Sequence, residues 1–317
     1  HEYTHIGHLS NTKGITKVPK VLFGKTFQPN LISPLWIHEG IAVFSESQQS
    51  QYEGRLNDGY FNAVIASKAS EKKMPSIRVA TNMLPTYPFG DWYVNGGMFF
   101  NYLSNTYGKE KIPALFNKYG SYWWAPIVGL PFPGLGIDLA AKQIYGKSMK
   151  ILYKEWTDFE EEKYQNWQID GEMITNSGWY KGYLKEYNDK IYYFKFYYNR
   201  IDIGFTQFIE FDPIKKKERV IANLTNSSSS PIQLQNGQIY YTVKEVDKGY
   251  SNVSTFGNTS MLYSIDLITG KSKELFKDDI RAFCILDNGN IIYSKDQKHH
   301  FGSELWRYSN EGKHKIG

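Results

Sequence analysis

The chain of 317 residues opens with His1-Glu2-Tyr3-Thr4-His5, a complete H-E-x-x-H pattern. On a helix, positions i and i+4 lie on one face, so both imidazoles can reach a single ion. Imidazole nitrogen is a preferred ligand of Zn²⁺, and a catalytic zinc site keeps one position open for water. Glu2 would lie beside the metal, where its carboxylate can take the proton of a zinc-bound water. The pattern therefore predicts His1 and His5 as zinc ligands and Glu2 as a general base.

A second helix is predicted after Ser33-Pro34, because serine as N-cap and proline at the first helical position are common start signals. Its sequence is Trp36-Ile37-His38-Glu39-Gly40-Ile41-Ala42-Val43-Phe44-Ser45-Glu46. A zinc site with two histidines needs a third protein ligand, and a carboxylate from a second helix is one common solution. Glu46, two turns after Glu39, is a candidate to accept a hydrogen bond from a ligand histidine.

The pattern Trp-x-x-Glu-Gly-x-Ala-x-Phe-x-Glu after H-E-x-x-H resembles the ligand helix of the gluzincins, which include aminopeptidase N and thermolysin. The resemblance implies that Glu39 is the third zinc ligand and that residues 1–168 form a mainly α-helical, gluzincin-like zinc peptidase domain. The 33 residues between His5 and Glu39 make a longer interval than in aminopeptidase N. We therefore expect His8 to Pro34 to be an inserted loop.

Tyr93 is a candidate catalytic residue by the same resemblance. Tyr93-Val94-Asn95-Gly96-Gly97-Met98 is similar to the Tyr-x-Lys-Gly stretch of aminopeptidase N-like enzymes, with asparagine in place of the lysine. In that family the tyrosine hydroxyl stabilises the tetrahedral intermediate, and a phenol hydrogen bond suits a developing oxyanion.

The predicted secondary structure changes after Trp167, where strand-like segments alternate with Asn-Gly and Asp-Pro turns. Three similar units can be superposed on segments that begin at Asn188, Asn236 and Asn288, which gives intervals of 48 and 52 residues. A period near 50 residues with four short strands per unit is typical of propeller blades. Residues 169–317 are thus predicted to hold about three blades of a truncated β-propeller; an ordinary β-sandwich with accidental spacing is the alternative.

Several shorter motifs resemble bacterial envelope proteins that join a peptidase-MA-like domain to TolB-type propeller repeats. They begin with the Phe-Gly of Phe23-Gly24 and continue with a Gly-x-Phe-Phe-x-Tyr-Leu helix, Gly97 to Leu103. Tyr-Gly-Lys-Glu-Lys, Tyr107 to Lys111, and Tyr-Gly-Lys-Ser…Trp, Tyr145 to Trp156, follow in the same order. The resemblance implies a periplasmic or extracellular protein, lipid-anchored through a segment upstream of His1, whose propeller can hold a protein partner.

Composition excludes some classes of protein. The net charge is only +5, with 37 basic and 32 acidic residues. The sequence has no basic stripe with interleaved aromatic residues, so it does not predict nucleic-acid binding. One cysteine, Cys284, allows no intrachain disulfide, and its apolar surroundings predict a buried thiol. No apolar run approaches the roughly 20 residues of a membrane span.

The sequence is compatible with three functions. The first is zinc-dependent hydrolysis of peptide bonds in a peptide or protein substrate. The second is a catalytically inactive, peptidase-like binding protein whose propeller captures a partner, although such a protein has no need of Glu2 as a base. The third takes His1 as a true N-terminus that chelates copper through its amine and ring, which leaves Glu2, His5 and Glu39 without a role.

Overall fold

The computed structural model describes residues 1–80, 91–129, 132, 134–168, 170–175, 180–197, 205–225, 232–246, 258–296 and 302–317. The chain divides into two compact units, and the division falls between Gly171 and Glu172. The sequence places this boundary three residues earlier, after residue 168. The first unit is built of helices and the second of antiparallel strands.

The described part of the first unit contains ten α-helices. They are α1 Glu2–Leu9, α2 Lys17–Phe23, α3 Leu35–Glu46, α4 Gly59–Ser70, α5 Ile77–Ala80, α6 Asp91–Tyr107, α7 Lys111–Tyr119, α8 Ala125–Val128, α9 Leu135–Tyr145 and α10 Met149–Lys163. None of the helices in the described ranges has the length and apolarity that crossing a membrane requires.

Some helix boundaries differ from the sequence-based prediction. Helix α3 begins at Leu35, because Pro34 has an extended backbone and occupies the N-cap position itself. The segment expected to be a plain inserted loop contains α2 and several 3-10 turns, and α4 was not predicted at all. The apolar residues of α4 are spread around the helix rather than along one clear stripe, so the helical period gives little signal there.

Helix α3 lies at the centre of the helical core. Trp36 and Ile37 are fully buried, and the indole ring of Trp36 contacts the rings of Phe99, Phe100 and Tyr153. These partners come from α6 and α10, so three helices share one aromatic cluster. The packing fixes the buried face of α3, and Glu39 and Glu46 lie where the helix is only partly covered.

The backbones of α3 and α6 touch at a pair of glycines. A Cβ atom on Gly96 would lie 2.1 Å from the carbonyl oxygen of Trp36 and 2.8 Å from Cα of Gly40. Both neighbours are backbone atoms, which cannot rotate away as a side chain can. Only glycine at this crossing lets the two helices approach so closely. The crossing therefore fixes the position of α3 relative to α6.

We therefore expect Gly96→Ala to lower the free energy of unfolding by about 1–3 kcal/mol, as overpacking of a core does. The matched control is Gly59→Ala at the start of α4, where a Cβ would meet no atom within 4 Å. Urea unfolding of both variants measures the effect. Equal stability of the two variants would show that the helix crossing tolerates a methyl group.

The second unit contains three four-stranded antiparallel sheets in its described residues, each with its strands in simple sequential order. The strands of the first sheet are β1 Tyr180–Tyr187, β2 Lys190–Tyr197, β3 Phe205–Asp212 and β4 Lys217–Thr225. The second sheet consists of β5 Gln233–Gln235, β6 Gln238–Val246, β7 Asn258–Asp266 and β8 Ser272–Asp278. The third consists of β9 Ile280–Ile285, β10 Ile291–Asp296, β11 Ser303–Ser309 and β12 Gly312–Lys315. This up-and-down topology is that of propeller blades, as the repeat predicts.

The repeated asparagines lie in the first hairpin of each sheet. Asn188 and Asp189 both have positive φ between β1 and β2, as do Asn236 and Gly237 between β5 and β6. Two residues with positive φ form the type I′ turn that suits the twist of a hairpin. The sequence repeat therefore marks turns that begin equivalent second strands.

The prediction for Cys284 was wrong, because the thiol is exposed. Cys284 follows Phe283 on β9, and successive side chains of a strand point to opposite faces. Phe283 is buried in a cluster with Phe276 and Tyr293, so the next side chain points outward.

Candidate metal centre

Helices α1 and α3 bring three of the predicted site residues together. His1 caps the N-terminus of α1, and its carbonyl oxygen accepts the backbone N–H of His5 at 3.4 Å. One helical turn therefore separates the two imidazoles. Glu39 reaches them from α3, which packs against α1.

The three potential ligand atoms form a nearly equilateral triangle. Nε2 of His1 and Nε2 of His5 are 3.2 Å apart. Oε2 of Glu39 lies 3.3 Å from Nε2 of His1 and 3.4 Å from Nε2 of His5. Ligand atoms of a tetrahedral zinc ion with bonds of about 2.0–2.1 Å are about 3.3–3.4 Å apart. The triangle therefore has the dimensions that a tetrahedral zinc ion requires.

The donor set and its exposure suit a catalytic zinc site better than a structural one. Two imidazoles and one carboxylate are a common ligand set for catalytic zinc, whereas structural sites are usually closed by four protein ligands. The side chains of His1, His5 and Glu39 are 19%, 20% and 17% exposed. All three side chains are thus partly accessible to solvent.

Glu2 lies beside this triangle and is exposed. One of its carboxylate oxygens, one ring nitrogen of His1 and one ring nitrogen of His5 all lie within 4.8 Å of one another. The atoms of the triangle with Glu39 are 3.2–3.4 Å apart, as a single zinc ion requires, so Glu39 is the candidate third ligand and Glu2 the candidate base.

Tyr93, on α6, also borders the site. Its ring centre is 6.1 Å from that of His1. Burial raises the pKa of the Tyr93 hydroxyl, and the negative charge of Glu39 raises it further. The phenol therefore keeps its proton near neutral pH and can act as a hydrogen-bond donor. Asn95 is fully buried nearby in sequence, and its side-chain amide has no hydrogen-bond partner among the described residues.

Glu46 occupies the position expected of a carboxylate that orients a ligand histidine. Its Oε2 lies 2.9 Å from Nδ1 of His1, on the side of the ring away from the triangle. Burial tends to raise the pKa of Glu46, but hydrogen bonds from the side chain and backbone of Arg55 outweigh it and hold the pKa below its usual value. Glu46 is therefore ionised over the neutral range.

Sequence reasoning missed Arg55. The residue lies in the segment between α3 and α4, where no periodicity or spacing relates it to the H-E-x-x-H pattern. Its Nε donates to Oε1 of Glu46 at 2.6 Å, and Nη2 donates to Oε2 at 3.0 Å. The guanidinium carbon is also 4.7 Å from the ring centre of Tyr93.

A cleft of about 780 Å³ opens next to these residues. Its lining residues include His1, Glu46 and Arg55, together with Glu53 and Asp58. This volume lies within the range of small-molecule sites, although the cleft is wide open to solvent.

His8, the other histidine of α1, serves packing rather than ligation. It is 5% exposed, its ring meets the ring of Phe116 edge-on, and neither ring nitrogen has a hydrogen-bond partner in the described ranges. Burial, followed by the charges of His38 and His5, lowers the pKa of His8 to about 3. The structure thus holds this ring neutral in a packed position.

The low pKa of His8 predicts an acid-sensitive fold. The unfolded chain takes up a proton at His8 below a pH of about 6.5, whereas the folded chain does so only near pH 3. Stability is therefore lost as the pH falls between these values, by about 3 kcal/mol at pH 4. Urea unfolding at pH 7 and pH 4 should show a smaller loss in His8→Leu than in the unmodified protein. An identical loss in both would contradict the assignment.

No protein-family model matches the chain. An uncharacterized protein of Treponema pallidum (strain Nichols) is 38% identical over 92 residues, which span 29% of this chain and 9% of that protein. The match therefore relates only a small part of the Treponema protein to this chain.

Solved structures with some likeness to the chain include peptidases of archaea. The β-propeller domain of the Trilobed protease from Pyrococcus furiosus has a TM-score of 0.32 at 11% identity, over 44% of this chain and 43% of that one. Pyrococcus horikoshii acylaminoacyl peptidase has a TM-score of 0.32 at 13% identity, over 41% and 23% of the two chains. Similarity at this level supports no assignment of fold or activity.

Proposed function

We propose that this protein is a zinc-dependent hydrolase of peptide bonds with a gluzincin-like site. The observation that carries the proposal is the triangle of His1, His5 and Glu39, whose atoms are 3.2–3.4 Å apart and partly open to solvent. The gluzincin-like order of the sequence motifs supports it, since the helix after Pro34 delivers its carboxylate to the two histidines of the first helix.

Each residue of the site has a distinct task under this proposal. His1, His5 and Glu39 would hold Zn²⁺, which when bound polarises a carbonyl group and lowers the pKa of water to about 7. Glu2 accepts the proton of the attacking water and then donates it to the leaving amine. Tyr93 donates a hydrogen bond to the oxygen that gains negative charge as the carbonyl carbon becomes tetrahedral.

The β unit suits a role in binding rather than chemistry. We propose that its three sheets belong to a TolB-type propeller that holds a protein partner or substrate. The order of the sequence motifs, which resembles that of envelope peptidases, supports a periplasmic or extracellular location. These two proposals are independent of the zinc site and can fail without affecting it.

Metal analysis and a peptidase assay test the proposed activity together. We expect one equivalent of zinc per chain and cleavage of unstructured protein substrates, lost on chelation and restored by added zinc. Zinc without cleavage of any peptide would favour the inactive binding protein. Copper bound in place of zinc, with no need of His5, would favour chelation by the N-terminal amine.

A further inference from the structure

Arg55 makes a bidentate ion pair with Glu46. Nε and Nη2 of the guanidinium bind the two different oxygens of the carboxylate, and the backbone N–H of Arg55 reaches Oε1 at 3.3 Å. Such fork-to-fork pairing fixes the plane of the carboxylate as well as its position. A single point charge would hold Glu46 without fixing its orientation.

The position of Glu46 makes such a partner necessary. Glu46 is the last residue of α3, where the exposed carbonyl groups of the helix end repel a negative charge. Its side chain is only 18% exposed, so water screens it poorly. Without Arg55 the carboxylate would gain by turning toward solvent and away from His1.

The chemistry of His1 shows how this contact reaches the metal site. A histidine that binds a metal through Nε2 keeps its proton on Nδ1, which then needs an acceptor. Nδ1 of His1 lies near both Nη2 of Arg55, at 2.6 Å, and Oε2 of Glu46, at 2.9 Å. Arginine has no acceptor atom, so only Glu46 can receive the proton. Arg55 therefore acts on His1 in two ways: it orients Glu46, and its own Nη2 contacts Nδ1 at 2.6 Å, which is a hydrogen bond only while Nδ1 carries no proton.

Tyr93 lies against the same guanidinium. The charge of Arg55 is 4.7 Å from the centre of the tyrosine ring, within the range of a cation–π contact. One side chain thus touches the group that orients a ligand and the ring that carries the oxyanion donor.

We propose that Arg55 is a positioning residue, which through Glu46 holds the ring of His1 in its metal-binding orientation and, through its own guanidinium, holds Tyr93. This inference rests on the proposed zinc site. It adds that the loop between α3 and α4, rather than the two ligand helices alone, determines the affinity of the site.

The test uses zinc alone as the probe. The dissociation constant of zinc is measured by competition with a chromophoric chelator for the full chain and for Arg55→Ala, Arg55→Lys and Arg78→Ala. Loss of a residue that orients a ligand weakens metal binding by about 10–100-fold, which we expect for Arg55→Ala. Lysine should restore part of the affinity, because it keeps the charge but not the fork. Arg78, exposed on α5, is the matched control and should leave the affinity unchanged.

A double-mutant cycle separates positioning from a general structural role. In a Glu46→Ala background, Arg55→Ala should cause a much smaller loss of zinc affinity than it does in the unmodified protein, because the route through Glu46 has been removed and only the direct contact with His1 is left. The same full loss in that background would overturn the proposal, as would zinc affinity of Arg55→Ala equal to that of the unmodified protein. Unfolding midpoints of the zinc-free variants check that each one is folded.

Kinetics of the zinc-saturated protein provide a second readout. A positioning residue predicts that Arg55→Ala lowers kcat with little change in KM, because Tyr93 and the ligands act on the transition state. A rise in KM alone would mean that Arg55 contacts substrate, and would contradict the proposed role. Failure of the unmodified protein to bind zinc would instead refute the proposed function itself.

Discussion

Replacing Glu2 by glutamine should reduce kcat/KM for peptide cleavage by about 10²–10⁴-fold, the usual contribution of a positioned general base. Glutamine has nearly the same shape, but its amide cannot accept the proton of the attacking water. Glu2 lies outside the triangle of His1, His5 and Glu39, so zinc should remain bound in the variant. Zinc content and steady-state kinetics on the same preparation measure both parts of the prediction.

The control for this variant is Glu71→Gln, an exposed carboxylate just after α4 that pairs with Lys73. It should retain full activity. If Glu2→Gln cleaves peptides as fast as the control, Glu2 is not the base and the H-E-x-x-H interpretation of the site fails. Loss of zinc along with activity would show instead that Glu2 supports the metal.

The second large effect is expected from Glu39→Ala, which removes the only potential ligand of the triangle supplied by α3. Zinc at the proposed site would join α1 to α3, so its binding should stabilise the folded chain, by about 4 kcal/mol at a zinc concentration 1,000 times the dissociation constant. Glu39→Ala should abolish most of this gain, since two histidines alone leave the site incomplete.

Thermal unfolding with and without zinc measures this gain directly. Glu53→Ala is the matched control, because that carboxylate lies in the cleft and is not part of the triangle. Equal stabilisation of Glu39→Ala and Glu53→Ala by zinc would mean that α3 contributes no ligand.

Local geometry explains why the sequence could predict that some residues of the candidate site lie close together. His1 and His5 meet because one helical turn separates them, and Glu46 follows Glu39 on the same side of α3 because two turns separate those residues. The hairpin turns at Asn188 and Asn236 could also be predicted from the sequence, since a turn with positive φ favours asparagine and glycine.

Features that depend on contacts between distant segments could not be predicted in this way. Arg55 belongs to the site because its loop turns back on the end of α3, and neither its residue type nor its spacing shows that. The crossing at Gly40 and Gly96 is similar, because a glycine within a helix has several explanations until its neighbour is known. Which side chains of β9 face the core depends on the pairing of β9 with β10, and this pairing corrected the prediction for Cys284.

A crystal structure of the zinc-loaded protein, with the metal located by anomalous scattering at the zinc edge, tests the central claim most directly. The account predicts one strong peak bound by Nε2 of His1, Nε2 of His5 and a carboxylate oxygen of Glu39, each at about 2.0–2.2 Å, with a fourth position that no protein atom fills. A peak elsewhere, or one at the two histidines with Glu39 turned away from it, would contradict the account.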